Sequence, residues 1–194
     1  VQRLFARVLA LPCFTVAACN GHTFAAGAML ALAHDVSIMR SERGYWCLPE
    51  VDLGIPFTAG MDALISSRLS RRTAHEAMVT GRRYSAWDAV QAGIVDEEAG
   101  EADLLPRAIS LAGEHAAKAG HAIGTIRTML HHVAHEALTG APTWATRDRS
   151  RRRATGGRCG PPGGGRADRH DHQRSARAPQ RLRRRADPRT DRRR

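Results

Sequence analysis

The chain has 194 residues, 42% of them hydrophobic and 25% charged, and a net charge of +11, a length that allows one domain with a real core. The charge is unevenly placed: residues 147–194 hold 18 arginines against five aspartates, a net of +13, while residues 1–146 hold 12 basic and 14 acidic side chains, a net of −2. The body is therefore near-neutral, Ala/Leu-rich sequence of ordinary soluble type. Four cysteines without C-x-x-C spacing exclude a disulfide framework and indicate the reduced thiols of a cytoplasmic protein.

The opening VQRLFARVLALPCFTVAAC lacks a charged n-region, an initiator methionine and a cleavage site, and Pro12 interrupts its apolar run, so it reads as mid-domain sequence and not as a signal or membrane span. Helical spacing over 2–10 predicts a helix closed by Leu11-Pro12. CFTVAAC then predicts a fully buried strand ending at the Asn20-Gly21 turn. From Ala26 or Gly27 the small, helix-favouring run to Ala33 predicts a second helix, and DVSIMRS a second strand. Gly54 and Pro56 make the stretch before residue 58 a loop.

Beyond it the pattern predicts helices over 60–69, over 71–80 with Ser70 or Thr73 as cap, and over 85–92 with Ser85 and Asp88 forming a capping-box variant. AGIVDE predicts a strand, and EADLLPRAISLAGEHAAKAG and HAIGTIRTMLHHVAHEAL predict two amphipathic helices. This order is an α/β organisation. After about Trp144 the chain has almost no apolar residues and cannot repay ordering by burial, so a domain over 1–143 and a disordered basic tail over 144–194 are expected. The tail's arginine usage also matches an out-of-frame reading of GC-rich coding sequence. Its runs could meet phosphates non-specifically, with no aromatic residue to stack bases, but a tail with no selected role is the expectation.

Two stretches carry candidate chemistry. FAAGAML, Phe24 to Leu30, puts small residues at a helix entry, where unpaired N–H groups could meet an oxyanion; the same residues would equally serve close helix–strand packing. Glu50 stands among Leu48, Pro49, Val51, Leu53, Ile55 and Phe57, which could desolvate it and raise its pKa for proton transfer, or it is a solvated loop glutamate with Asp52 as local competitor. His22, His34, His131, His132 and His135 lack partners at metal-ligand spacing and read as structural or solvated. Asp35 reads as structural, and GPPGGG lacks the lysine and helix of a phosphate loop.

PCFTVAACNGHTFAAGAMLALAHD, from Pro12 to Asp35, followed by LPEVDLGIPF from Leu48 to Phe57 and EAMVTGRRYSAWDAVQAGIVDE from Glu76 to Glu97, resembles the crotonase family, the enoyl-CoA hydratase/isomerase superfamily, over residues 2–139. The resemblance implies a partial ClpP/crotonase-like spiral of ββα units, with helices over 101–139 that build trimers or hexamers. It implies a coenzyme A thioester as substrate, no metal and no redox cofactor. It assigns an oxyanion-holding backbone N–H to Ala26, a proton-shuttling base to Glu50, and substrate contacts to Phe24, Ala25, Gly27, Met29, Leu53 and Phe57.

Hydratases of the family carry a second glutamate where this chain has Met29, so the resemblance is closest to the Δ3,Δ2-enoyl-CoA isomerases of fatty-acid β-oxidation. In the family a first oxyanion donor lies on a strand–loop before the Asn20-Gly21 strand. The chain is thus expected to be N-terminally truncated, the core of such an isomerase, with a non-catalytic remnant of one or an enoyl-CoA hydratase-like member as the alternatives.

Overall fold

A computed structural model describes residues 1–140; the domain boundary expected at 143/144 and the tail expected over 144–194 lie outside the described residues. Helix α1, Gln2–Leu9, buries Phe5, Ala6, Val8 and Leu9. The chain then passes twice through a strand, a short strand and a helix: β1 (Val16–Cys19), β2 (Thr23–Phe24) and α2 (Ala26–Leu32), followed by β3 (Val36–Arg40), β4 (Trp46–Cys47) and α3 (Ala59–Arg68). Equivalent strands of the two ββα units pair in parallel, Val16 with Val36 through Cys19 with Met39, and Thr23 with Trp46 and Phe24 with Cys47. After α4 (Arg71–Thr80) and α5 (Ala86–Gln91), β5 (Glu97–Ala99) joins the other edge of β3, giving the order β1-β3-β5. Helix α6 (Glu101–Glu114), a 3-10 turn over Ala116–Lys118, α7 (His121–Leu130) and α8 (His132–Thr139) complete the described chain.

The central strand shows why the layers form. Ser37, Ile38 and Met39 of β3 are all buried, and the period-two alternation sends Ile38 to a small cluster with Leu104 and Ala108 of α6 while Met39 joins the main core. That core gathers Phe5 and Leu9 of α1, Met29 and Leu32 of α2, Leu64 and Ile65 of α3, and Ala134 and Leu138 of α8. Each such large side chain contributes about 1.5–3 kcal/mol by leaving water. The helices start where hydroxyls can hold the first free amides: Thr58, Ser70 and Ser85 accept from Met61, Thr73 and Asp88 at 3.3, 3.1 and 3.2 Å. Ser70 rather than Thr73 is the cap of α4.

Four sequence expectations shift. The strand expected across CFTVAAC is confined to Val16–Cys19 and is not fully buried, because β1 pairs only with β3 and Ala18 faces outward. AGIVDE is not the strand; Ile94 and Val95 are buried in a turn, where the Ile94 amide returns to Ala89 O at 2.8 Å, and the sheet takes the acidic edge Glu97–Ala99 instead. The helix expected over 101–120 ends at Glu114. The last expected helix divides at His131, since α7 and α8 are anchored on different neighbours: α8 packs on α1 and α3, whereas α7 is held by Arg127.

Arg127 is the least anticipated residue of the core. Buried, it donates to Val8 O at 2.8 Å and Leu9 O at 3.2 Å at the carboxyl end of α1, and to Cys13 O at 2.9 Å; Val8 O also accepts from the Leu11 amide at 3.3 Å. It also pairs with Asp35, whose carboxylate accepts from the amide and hydroxyl of Thr15 at 2.7 and 2.8 Å. The roots of β1 and β3 are thereby tied to one guanidinium. His131, one turn on, is buried as well, and that burial, with the charges of Arg68 and Arg127, holds its imidazole below the usual range. The outer side of α7 and α8, within the segment to which the resemblance assigns assembly, exposes Ile126, Met129, Leu130 and Val133.

Candidate active site

The site is built at the carboxyl end of the paired strands β2 and β4, where ligands of α/β sheets sit. Thr23 N–H donates to Tyr45 O at 2.9 Å and Ala25 N–H to Cys47 O at 3.0 Å, a short parallel ladder. Two glycines let the strands approach: Gly44, at φ +100°, lies so close to Gly21 that a Cβ on it would overlap the Gly21 carbonyl. On the far side Trp46 and Tyr84 exchange two backbone hydrogen bonds of 2.9 Å, and both rings are fully buried.

The turn into α2 is made in one residue. Ala25 has φ 49° and ψ −118°, a positive φ found at no other non-glycine among the described residues, at a cost of about 1–3 kcal/mol. In return the first intrahelical bond is Met29 N–H to Ala25 O at 3.0 Å, and the amides of Ala26 and Gly27 precede it, on exposed residues. At Gly27 the place of a Cβ is empty to beyond 4 Å, so an incoming carbonyl has room beside the free amides.

Three residues past Cys47, whose carbonyl holds that turn, comes Glu50. It is only 6% exposed, and its Oε2 has no hydrogen-bond partner. Burial pushes its carboxyl above the ordinary range, opposed only by its own backbone amide. Asp52 is exposed and lies against Gly81, where a Cβ would stand 2.8 Å from its Oδ2. Burial and an orphaned oxygen set Glu50 apart from its competitor.

The drying of Glu50 differs from the sequence expectation in its source. Leu48 is fully buried and Pro49 and Phe57 partly so, but Val51, Leu53 and Ile55 turn outward at 46%, 62% and 55% exposure. The loop winds tightly, Ile55 N–H returning to Glu50 O at 2.9 Å, so the glutamate goes in and the aliphatic residues go out. Phe24, Ala25, Ala26 and Gly27 thus meet in one turn beside the strand that leads to Glu50. Met29, expected to contact substrate, is 1% exposed and packs in the core, because α2 turns Ala28, Met29 and Leu32 inward. Leu53, expected beside it, is on the surface.

Sequence reasoning missed the Cys47 carbonyl, the Gly21–Gly44 crossing, and Arg83, whose guanidinium lies 5.7 Å from the Phe24 ring centroid. Arg127 had one visible signal, a lone basic residue inside the apolar run IGTIRTML. Among the described residues no group of His, Cys, Asp and Glu is arranged to hold a metal, and no helix is long and apolar enough to cross a membrane.

The sequence profile described as enoyl-CoA hydratase/isomerase matches residues 1–147. Enoyl-CoA delta isomerase 3 of Arabidopsis thaliana is 38% identical over 136 residues, covering 66% of this chain and 56% of that protein. The peroxisomal enoyl-CoA delta isomerase 2 of the same plant is 36% identical over 131 residues, covering 65% and 55%. Human mitochondrial delta3-delta2-enoyl-CoA isomerase superposes with a TM-score of 0.66 at 26% identity, over 78% of this chain and 57% of that one. The chain spans about half the length of the curated relatives it matches.

Proposed function

The chain belongs to the enoyl-CoA hydratase/isomerase family, and from that premise we propose that its site shifts the double bond of a 3-enoyl-CoA thioester to the 2-position. The observation that carries this reading is a single buried carboxylate with an unpartnered oxygen, Glu50, beside a turn that frees the Ala26 amide. Glu50 removes a proton from C2, and the C–H electron pair moves into the thioester to give a dienolate. The Ala26 N–H donates to the enolate oxygen, where negative charge develops. Glu50 returns the proton to C4, the C3=C4 electrons supply the new bond, and the double bond stands between C2 and C3. Proton and base are regenerated, so neither metal nor redox cofactor is required.

A carboxyl held above its ordinary range suits both halves of that transfer, since it gives a proton back nearly as readily as it takes one. Adding water to a 2-enoyl-CoA would call on a second carboxylate, and the position where hydratases of the family carry one is the buried Met29. Free Cys13, Cys19 and Cys47 support a reducing compartment such as the cytoplasm. Turnover of a 3-enoyl-CoA, followed by absorbance of the conjugated product, tests the proposal. Glu50→Gln is expected to lower kcat by about 10²–10⁴-fold, and full activity in that variant rules the assignment out.

A further inference from the structure

We propose that Arg83 is a positioning residue for the oxyanion turn: stacked on Phe24, it holds the strained Phe24–Ala25 peptide so that the Ala26 amide keeps its aim. The inference rests on the function proposed above for that amide. Register places the residues together. Phe24 pairs with Cys47 and Trp46 pairs with Tyr84, so Phe24, Cys47 and Arg83 share one face of the β2–β4 ribbon while Thr23, Trp46 and Tyr84 share the other. The guanidinium of Arg83 stands 5.7 Å from the Phe24 centroid, within cation–π range. Its field reaches Cys47 too, where burial raises the thiol and Arg83 pulls it back.

The neighbouring arginine makes the contrast. Arg82 pairs with Glu76 at 3.0 Å and Asp88 at 3.5 Å, whereas among the described residues Arg83 has no ion pair and its guanidinium meets the aromatic face of Phe24. A non-glycine residue at φ 49° persists only where its surroundings over-determine it. The Cys47 carbonyl holds the Ala25 amide from one side, and the clamp on the Phe24 ring fixes the preceding residue from the other. With the clamp removed, the peptide can rotate toward an ordinary φ, and the Ala26 amide turns with it.

Residue-resolved amide hydrogen exchange on the whole chain tests this without reference to turnover. Arg83→Ala should speed exchange of the Ala25 amide by about fivefold and leave Ile38 and Met39 of β3 unchanged. Arg83→Lys should restore part of the protection, since an ammonium can sit over the ring without stacking on it. In a Phe24→Leu background Arg83→Ala should have no further effect. Unchanged exchange at Ala25, an equal rise throughout β3, or the same rise in the Phe24→Leu background overturns the proposal. Where wild type turns over a 3-enoyl-CoA, Arg83→Ala should lower kcat about fivefold with KM within about twofold, and an unchanged kcat despite a loosened Ala25 overturns the positioning role. Absence of turnover in wild type counts against the function proposed above, and the exchange result still decides whether Arg83 holds the turn.

Discussion

The two ββα units are the same device used in two ways. In the first, β2 passes into α2 through Ala25 alone; in the second, residues 48–58 intervene between β4 and α3. The abrupt connection leaves backbone amides uncovered at the helix entry, and the long one has room to fold a carboxylate inward. A parallel pair of strands sets these unlike connections side by side, so the backbone donor and side-chain base proposed above come from equivalent places in a repeat. Asymmetry in loop length, on a nearly symmetric scaffold, is what sets the proposed site apart from the repeat around it.

Perturbing each unit separately should break that comparison in graded steps. The largest effect falls on the long connection, the loss of about 10²–10⁴-fold in kcat expected for Glu50→Gln. Next is the link between the roots of the units. Arg127→Met strands Asp35 without its cation and leaves the Leu9 and Cys13 carbonyls unpaired, and is expected to cost about 3–5 kcal/mol in denaturant unfolding; a loss below about 1 kcal/mol would show that the roots are held otherwise. Gly44→Ala forces a Cβ into the Gly21 carbonyl at a positive φ and should cost more than about 2 kcal/mol by the same measurement.

Ala25→Gly relieves strain in the short connection and should raise stability by about 1 kcal/mol, measured as a shift in denaturant midpoint at constant slope. The smallest effect is a pH dependence. Because the folded state raises the Glu50 pKa above its ordinary value of about 4.5, stability is full below that value and is lost as pH rises through the folded pKa. The stability of Glu50→Gln relative to wild type should therefore increase as pH rises above about 4.5; a pH-independent difference would mean that Glu50 is solvated.

Much of this comparison was legible in the sequence, and the gaps have physical causes. Ser70 and Ser85 announce helix starts because capping is local chemistry within three residues. The company of Glu50 leaves it open between a base and a solvated loop glutamate, and only the family resemblance chooses the first; half of that company turns to water in a tightly wound loop that no alternation of residues reveals. Strands β2 and β4 have two residues each, too few to display a period. Ile94 and Val95 look like a strand because a buried turn and a buried strand make the same apolar run. Arg127 reaches Asp35 across 92 residues, and no local pattern encodes a partner that distant.

The crossing of Gly21 and Gly44 constrains how this scaffold could diversify. At that point the two units touch backbone to backbone, with no side chain available to adjust their spacing in small steps. Heritable variation in what the site accepts is thereby channelled away from the ribbon and into residues 48–58, where Val51, Leu53 and Ile55 face outward and can be exchanged without repacking the core. The glycine pair works as a ratchet on evolution: it freezes the spacing of the two units while leaving the loop that surrounds Glu50 free to explore.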